Sequence, residues 1–91
     1  MSKFTAGLHN VERYIREAVL KANGGDAAPP TFCWHRGKKW LLTPSSIDLE
    51  VSLNLHRVTL HFTREEIEEA YQKVTREDSI NTIETGVRVL V

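Results

Sequence analysis

The chain contains 91 residues with a mass of 10.4 kDa, and its twelve Lys and Arg residues balance twelve Asp and Glu residues. The length predicts one domain, residues 1–91, and the balanced charge argues against a protein that acts mainly by attracting phosphate groups. A hydrophobic fraction of 41% argues against intrinsic disorder, and no apolar run reaches the roughly 18 residues that a membrane helix needs.

The first predicted element is an amphipathic helix that ends before the Gly24-Gly25 pair. Its apolar stripe recurs every three or four positions and consists of Phe4, Leu8, Val11, Ile15, Ala18 and Ala22. Asn10 is a candidate N-cap, and oppositely charged pairs four residues apart mark the exposed side. The stripe predicts a helix that covers a sheet, and the alternative is that part of it pairs with a second chain.

A first β-hairpin is predicted from residues 31–35 and 39–43, with a type II′ turn at Gly37-Lys38. Both of its faces are apolar, although an antiparallel sheet with one solvated side has one polar face. The two faces hold Cys33, His35, Trp40 and Leu42 on one side and Phe32, Trp34 and Leu41 on the other. This hairpin is therefore expected either to lie between two layers of the core or to dock on a partner.

A second hairpin is predicted from the strict alternation of apolar and polar residues over 47–53 and 58–62. A four-residue loop, 54–57, places Leu53 opposite Val58 and gathers the apolar side chains on one face. The same register places Glu50 opposite His61 on the solvated face, where we expect an exposed pair of little energetic weight.

The C-terminal third begins with a capping box, in which Thr63 is the N-cap and Glu66 the third helical residue. The helix is predicted to run to about Arg76, and its inward stripe is Ile67, Ala70, Tyr71 and Val74. A break at 77–79 precedes a predicted strand from residue 80 to 91, with a bulge or bend at Gly86. The predicted fold is α+β: helix, two β-hairpins, helix and C-terminal strand, with an antiparallel sheet and both helices packed on one face.

Four histidines and one cysteine raise the hypotheses of a metal site and a nucleophile. His56 and His61 have the spacing of a zinc-ligand pair, but no second pair accompanies them. Cys33 and His35 share one face of a strand and point in parallel, so burial of a free thiol is the commoner outcome. We therefore expect no catalytic residue, no metal and no cofactor. The one cysteine and the absence of an apolar secretory signal indicate a cytoplasmic protein.

The segment Phe32–Trp40 interleaves aromatic and basic residues and contains no acidic one. This pattern is typical of single-stranded nucleic-acid binding, which combines base stacking with phosphate attraction. The basic patch is local, because residues 1–43 carry seven basic and three acidic side chains, whereas residues 44–91 carry five and nine. The order of helix, strands and helix resembles that of double-stranded RNA-binding domains, but acidic residues replace the basic start of the second helix expected there.

The preferred hypothesis is a small non-catalytic protein-interaction module or accessory subunit that works as a homodimer, with single-stranded nucleic-acid binding as the alternative. It depends on apolar surface in excess of what one small core buries, and on tryptophans, which are enriched at binding hot spots. The predicted contact residues are Trp34, Arg36, Lys38, Lys39, Trp40 and Leu55. Val87, Val89 and Val91 are predicted to form an edge strand for β-pairing.

Overall fold

A computed structural model describes residues 2–22, 29–35 and 46–91 of the chain. The elements follow in the order α1 (Lys3–Ala22), β1 (Thr31–His35), β2 (Ser46–Leu53), β3 (His56–Thr63), α2 (Arg64–Glu69) and α3 (Glu77–Leu90). The α+β class and the antiparallel sheet are confirmed. Residues 23–28, the turn Gly37-Lys38 and the predicted strand 39–43 lie outside the described residues. Within the described ranges, no helix combines the length and the apolar character needed to cross a membrane.

The three described strands form one sheet in the order β1-β2-β3, and both pairings are antiparallel. Every second residue of β2 is buried, as the alternation predicts, and these residues are Ile47, Leu49, Val51 and Leu53. Phe32 and Trp34 of β1 and Leu60 and Phe62 of β3 join the same apolar cluster. The opposite side of the sheet, the outer face, carries the intervening polar residues.

The connection between β2 and β3 is tighter than predicted. Leu53 pairs with His56, so the turn consists of Asn54 and Leu55 alone, and Asn54 adopts a positive φ of 56°. A positive φ at the first central position is a feature of the type I′ and II′ turns that join two-residue hairpins, and asparagine tolerates it better than most residues. The predicted four-residue loop and the Leu53–Val58 pairing are therefore wrong. The register shifts by two residues, which preserves the apolar face because side chains alternate with period two.

Helix α1 buries Leu8, Val11 and Ile15, as its stripe predicts. Near the end of the helix the buried residue is Val19, whereas Ala22, which the stripe included, is exposed. Two features join α1 to α2. A Cβ atom added at Gly7 would lie 1.7 Å from the carbonyl oxygen of Ile67, so the helices approach at backbone distance. The prediction of Asn10 as an N-cap is wrong, because Asn10 lies inside α1 and donates from Nδ2 to the carbonyl oxygen of Ala70 at 2.7 Å.

The capping box of α2 is confirmed. The Thr63 hydroxyl accepts from the Glu66 N–H at 3.2 Å, and Glu66 Oε1 accepts from the Thr63 N–H at 3.0 Å. The helix ends at Glu69 with Ala70 as its C-cap, well before Arg76. Within the predicted stripe Ile67, Ala70 and Val74 are buried, whereas Tyr71 is exposed.

Glu66 also links α2 to α3, because its Oε2 accepts a hydrogen bond from the buried Ser79 hydroxyl at 2.9 Å. Burial by itself raises the pKa of the Glu66 carboxyl. The hydrogen bonds from Thr63 and Ser79 and the charge of Arg76 outweigh that effect, so the pKa lies below its ordinary value. The ionised carboxylate therefore holds this junction together.

The segment from Glu77 to Leu90 is helix α3, so the predicted break at 77–79 and the predicted C-terminal strand are both wrong. Its buried residues follow helical spacing and are Ser79, Ile83, Gly86, Val87 and Leu90. Gly86 faces β3, since a Cβ atom added there would lie 2.4 Å from Leu60 Cδ2. The predicted bulge at Gly86 is instead a point of close packing between α3 and β3.

Candidate interaction surface

Trp34 belongs to the packing between β1 and α1. Its Nε1 donates to Glu12 Oε2 at 2.7 Å, and its ring centroid lies 6.2 Å from that of Phe62. Only part of the indole reaches solvent. The other predicted contact residues of this region, Arg36, Lys38, Lys39 and Trp40, lie outside the described residues.

Phe32, on the same side of β1, lies beneath the Arg16 guanidinium at 5.5 Å from the ring centroid. Phe32 and Trp34 are the two described rings of the segment proposed for nucleic-acid stacking. Both are partly buried against the core, and the Arg16 guanidinium occupies a place over the Phe32 ring where a base would stack.

Of the predicted C-terminal contact residues, Val87 and Val89 lie on helix α3 and Val91 is its C-cap. Val87 is buried at 7% exposure, whereas Val89 and Val91 are exposed at 57% and 48%. These three valines therefore form no edge strand, and that prediction is wrong. Leu55 lies at the tip of the β2–β3 turn with its side chain fully exposed.

The outer face of the sheet carries two histidine–carboxylate pairs. His61 Nδ1 lies 2.6 Å from Asp48 Oδ1, and Glu50 lies 3.3 Å from both His35 Nε2 and Arg57 Nη1. The predicted Glu50–His61 pair is wrong because the two-residue turn places Asp48 opposite His61.

Cys33 lies on this outer face and is exposed, contrary to the burial expected from sequence. Its place in the register is opposite Glu50 on the central strand. Among residues 2–22, 29–35 and 46–91, no three His, Cys, Asp or Glu side chains are grouped so as to hold a metal ion.

A groove of about 450 Å³ lies between β3 and α3, and we call it the β3–α3 groove. Its lining consists of residues 58–61 of β3 and of Asn81, Thr82, Thr85, Gly86 and Val89 of α3. None of these residues is Asp, Glu, Lys or Arg, in a chain of which 26% is charged. The sequence could have indicated this strip only if residues 81, 85 and 89 had been assigned to a helix, which places them on one side.

The β3–α3 groove adjoins an open strand edge. Among the described strands β3 pairs with β2 alone, so one side of its backbone faces away from the sheet. In a hairpin with a two-residue turn, the pair that flanks the turn is hydrogen bonded, and bonded and non-bonded pairs then alternate. Since Leu53 and His56 flank this turn, Arg57, Thr59 and His61 direct their N–H and C=O groups outward.

A second groove, of about 580 Å³, runs between α1 and α3 and differs in character. Charges of both signs line it, from Glu17 and Lys21 of α1 and from Glu84 and Arg88 of α3. The charged side of α3 therefore faces this second groove, and its uncharged side faces β3.

Comparison of the chain with models of protein families, with curated proteins and with solved structures finds no match. The geometry of the described surfaces is therefore the basis on which a function is proposed.

Proposed function

We propose that this chain is a small non-catalytic protein-interaction module that works as a homodimer, and that the β3–α3 groove is its contact surface. The observation that carries the proposal is an uncharged groove beside the edge of β3, which among the described strands pairs with β2 alone. The centres of protein interfaces are depleted of charged residues, and strand edges are ready templates for pairing with another chain.

The character of β3 supports this use of its edge. Soluble proteins protect exposed edges with charged side chains, above all lysine, or with proline, bulges or very short strands. β3 is eight residues long, contains neither lysine nor proline, has Arg57 as its one Asp, Glu, Lys or Arg residue, and pairs with β2 in continuous register from residue 56 to residue 63. The β-branched residues Val58 and Thr59 in its middle favour extended structure.

The openness of the outer face supports a non-catalytic role. General acid–base catalysis works best where water is excluded from the reacting groups. The side chains of His35 and His61 are 52% and 77% exposed, and each contacts one carboxylate on the outer face of the sheet. The exposed free thiol of Cys33 supports the proposed cytoplasmic location, because reducing compartments preserve such thiols.

The direct test is the mass of the full chain in solution, measured by sedimentation equilibrium over several orders of magnitude in concentration. We expect the mass to rise from that of the monomer to twice that value. The variant Val89→Lys places a charge in the groove and is expected to remain monomeric where the wild type dimerises. Leu20→Lys is the matched control, because Leu20 is exposed to a similar extent on α1, outside the groove.

Two results would contradict the proposal. A wild-type chain that stays monomeric at every concentration removes self-association altogether. Equal dimerisation of Val89→Lys and Leu20→Lys removes the β3–α3 groove as the contact surface.

A further inference from the structure

We propose that two copies of the chain join edge to edge through β3, antiparallel, with Thr59 of each copy on the two-fold axis. The two described three-stranded sheets then form one six-stranded sheet. This inference rests on the proposed function and specifies the pairing that would occupy the groove.

The open backbone of β3 determines the pairing. Arg57, Thr59 and His61 direct their N–H and C=O groups away from β2, at every second position of the strand. A two-fold axis at Thr59 pairs Thr59 with its own copy and Arg57 with His61 of the other copy. Each such pair exchanges two backbone hydrogen bonds, so about six form across the axis.

The side chains on the outer face suit this register. Thr59 meets Thr59, and cross-strand threonine pairs are favourable. Arg57 of each copy, which also contacts Glu50 of its own chain, lies opposite His61 of the other copy, and the Asp48 carboxylate beside that His61 supplies a negative charge. Arg57 and His61 lie at opposite ends of the paired region. An antiparallel second copy therefore forms the contact between Arg57 and the His61–Asp48 pair once at each end. A closed two-fold interface requires such self-complementarity.

The helical layer matches the same axis. Along α3 the groove is lined from Asn81 to Val89, with Thr85 midway, and along β3 it is lined by residues 58–61 around the proposed axis. The two α3 helices would therefore approach each other through their uncharged strips, with Val89 of one copy near the Asn81 end of the other.

The available area indicates the strength of the dimer. A strand of eight residues and a helix of fourteen extend about 27 Å and about 21 Å. The sheet layer and the helix layer together are about 20 Å thick. This thickness, multiplied by the length of the two elements, gives a contact of roughly 500 Å² per copy. Specific interfaces bury about 800 Å² per partner, and roughly 1,000 Å² in total is the lower limit. We therefore expect a dimer in measurable equilibrium with its monomer.

The first test uses disulfide cross-linking of the full chain under mild oxidation. Thr59→Cys in a Cys33→Ser background places two thiols directly opposite each other across the axis. Their Cα atoms would lie about 5.5 Å apart, within the range of a disulfide. The wild-type chain is the control, because its Cys33 residues on β1 would be five strand spacings apart, about 24 Å. We expect a covalent dimer from the Thr59→Cys chain and none from the wild type.

The second test introduces a charged residue at position 59, on the two-fold axis, and measures the fraction of dimer by native mass spectrometry. Thr59→Lys and Thr59→Glu each place two like charges opposite each other, and we expect each alone to dimerise about tenfold more weakly than the wild type. Their mixture is expected to form a heterodimer, because lysine then faces glutamate. Thr59 is exposed, so far-UV circular dichroism should show a native fold in both variants.

The outcomes separate this inference from the proposed function. Cross-linking through Cys33 would assign the contact to the β1 edge and overturn the inference. A concentration-dependent dimer that neither cross-links at residue 59 nor responds to its charge would overturn the β3 pairing, while the homodimer proposal stands. A chain that is monomeric at every concentration overturns both.

Discussion

The contact between the α1 and α2 backbones at Gly7 predicts that two glycine-to-alanine substitutions differ in their effect on stability. In α1, Gly7→Ala places a Cβ atom 1.7 Å from the carbonyl oxygen and 2.7 Å from the carbonyl carbon of Ile67. Backbone atoms cannot move aside alone, so α1 and α2 must separate. Overpacking of this kind costs about 1–3 kcal/mol, and the higher helix propensity of alanine returns about 1 kcal/mol. Because the contact involves backbone atoms, we take the upper end of the overpacking cost. The free energy of unfolding then falls by about 2 kcal/mol net, and the Tm falls by roughly 10 °C.

The matched control is Gly86→Ala in α3. Its Cβ atom would lie 2.4 Å from Leu60 Cδ2 and at ordinary distances from the rest of that side chain. A rotamer change of Leu60 removes the contact at a cost of about 0.5–1.5 kcal/mol, which the propensity gain of about 1 kcal/mol largely offsets. We expect a stability within about 0.5 kcal/mol of the wild type.

Urea unfolding followed by circular dichroism measures both variants, with unchanged m-values as the condition for comparing midpoints. Gly7→Ala should also weaken the hydrogen bond from Asn10 to the Ala70 carbonyl, because a wider gap between the helices lengthens it. A Gly7→Ala chain as stable as the wild type, or a Gly86→Ala chain that loses more, would refute the reasoning from backbone contact.

Three further predictions concern single polar groups. The pKa of Glu66 in the folded chain lies below its ordinary value of 4.5, so the stability that the ionised carboxylate contributes is present above about pH 4.5 and is lost as the pH falls through the folded pKa. Below pH 4.5, the urea midpoint of the wild type should therefore fall more steeply with pH than that of Glu66→Gln. Trp34→Phe removes the hydrogen bond to Glu12 and should lower the free energy of unfolding, measured with urea, by about 1–2 kcal/mol. The same substitution should cost less in a Glu12→Gln background, because the charged acceptor is already absent there. Asn54→Ala forces alanine into a positive φ and should lower stability by about 1 kcal/mol in thermal unfolding, whereas Asn54→Gly should not.

Local signals in the sequence predicted those elements whose structure depends on local chemistry. The capping box at Thr63 and Glu66 is present because its two hydrogen bonds involve residues three apart. The stripe of α1 and the alternation of β2 predicted the buried faces, because burial of one face enforces those periods. The polar outer face follows from the same alternation, although the pairing of its histidines does not.

The features that sequence reasoning missed depend on longer-range choices. The register of β2 and β3 depends on whether Asn54 begins a two-residue turn, and a shift by two residues leaves the hydrophobic pattern unchanged. The early end of α2 at Glu69 coincides with the hydrogen bond that Ala70 accepts from Asn10, sixty residues away in sequence. Thr59 and Thr85, which line the β3–α3 groove, carry no chemical signal of their own, and only the fold brings their two elements together.

The assignment of residues 77–90 to a helix determines where the open edge of the sheet lies. In a strand, Val87, Val89 and Val91 would share one face and offer their own edge for pairing. In a helix, successive residues turn by about 100°, so Val87 enters the core and Val89 faces the groove. The valines of this segment are thus divided between the core and the surface. Because this segment adds no strand beside β3, the proposed pairing with a second copy uses the backbone of Arg57, Thr59 and His61 instead.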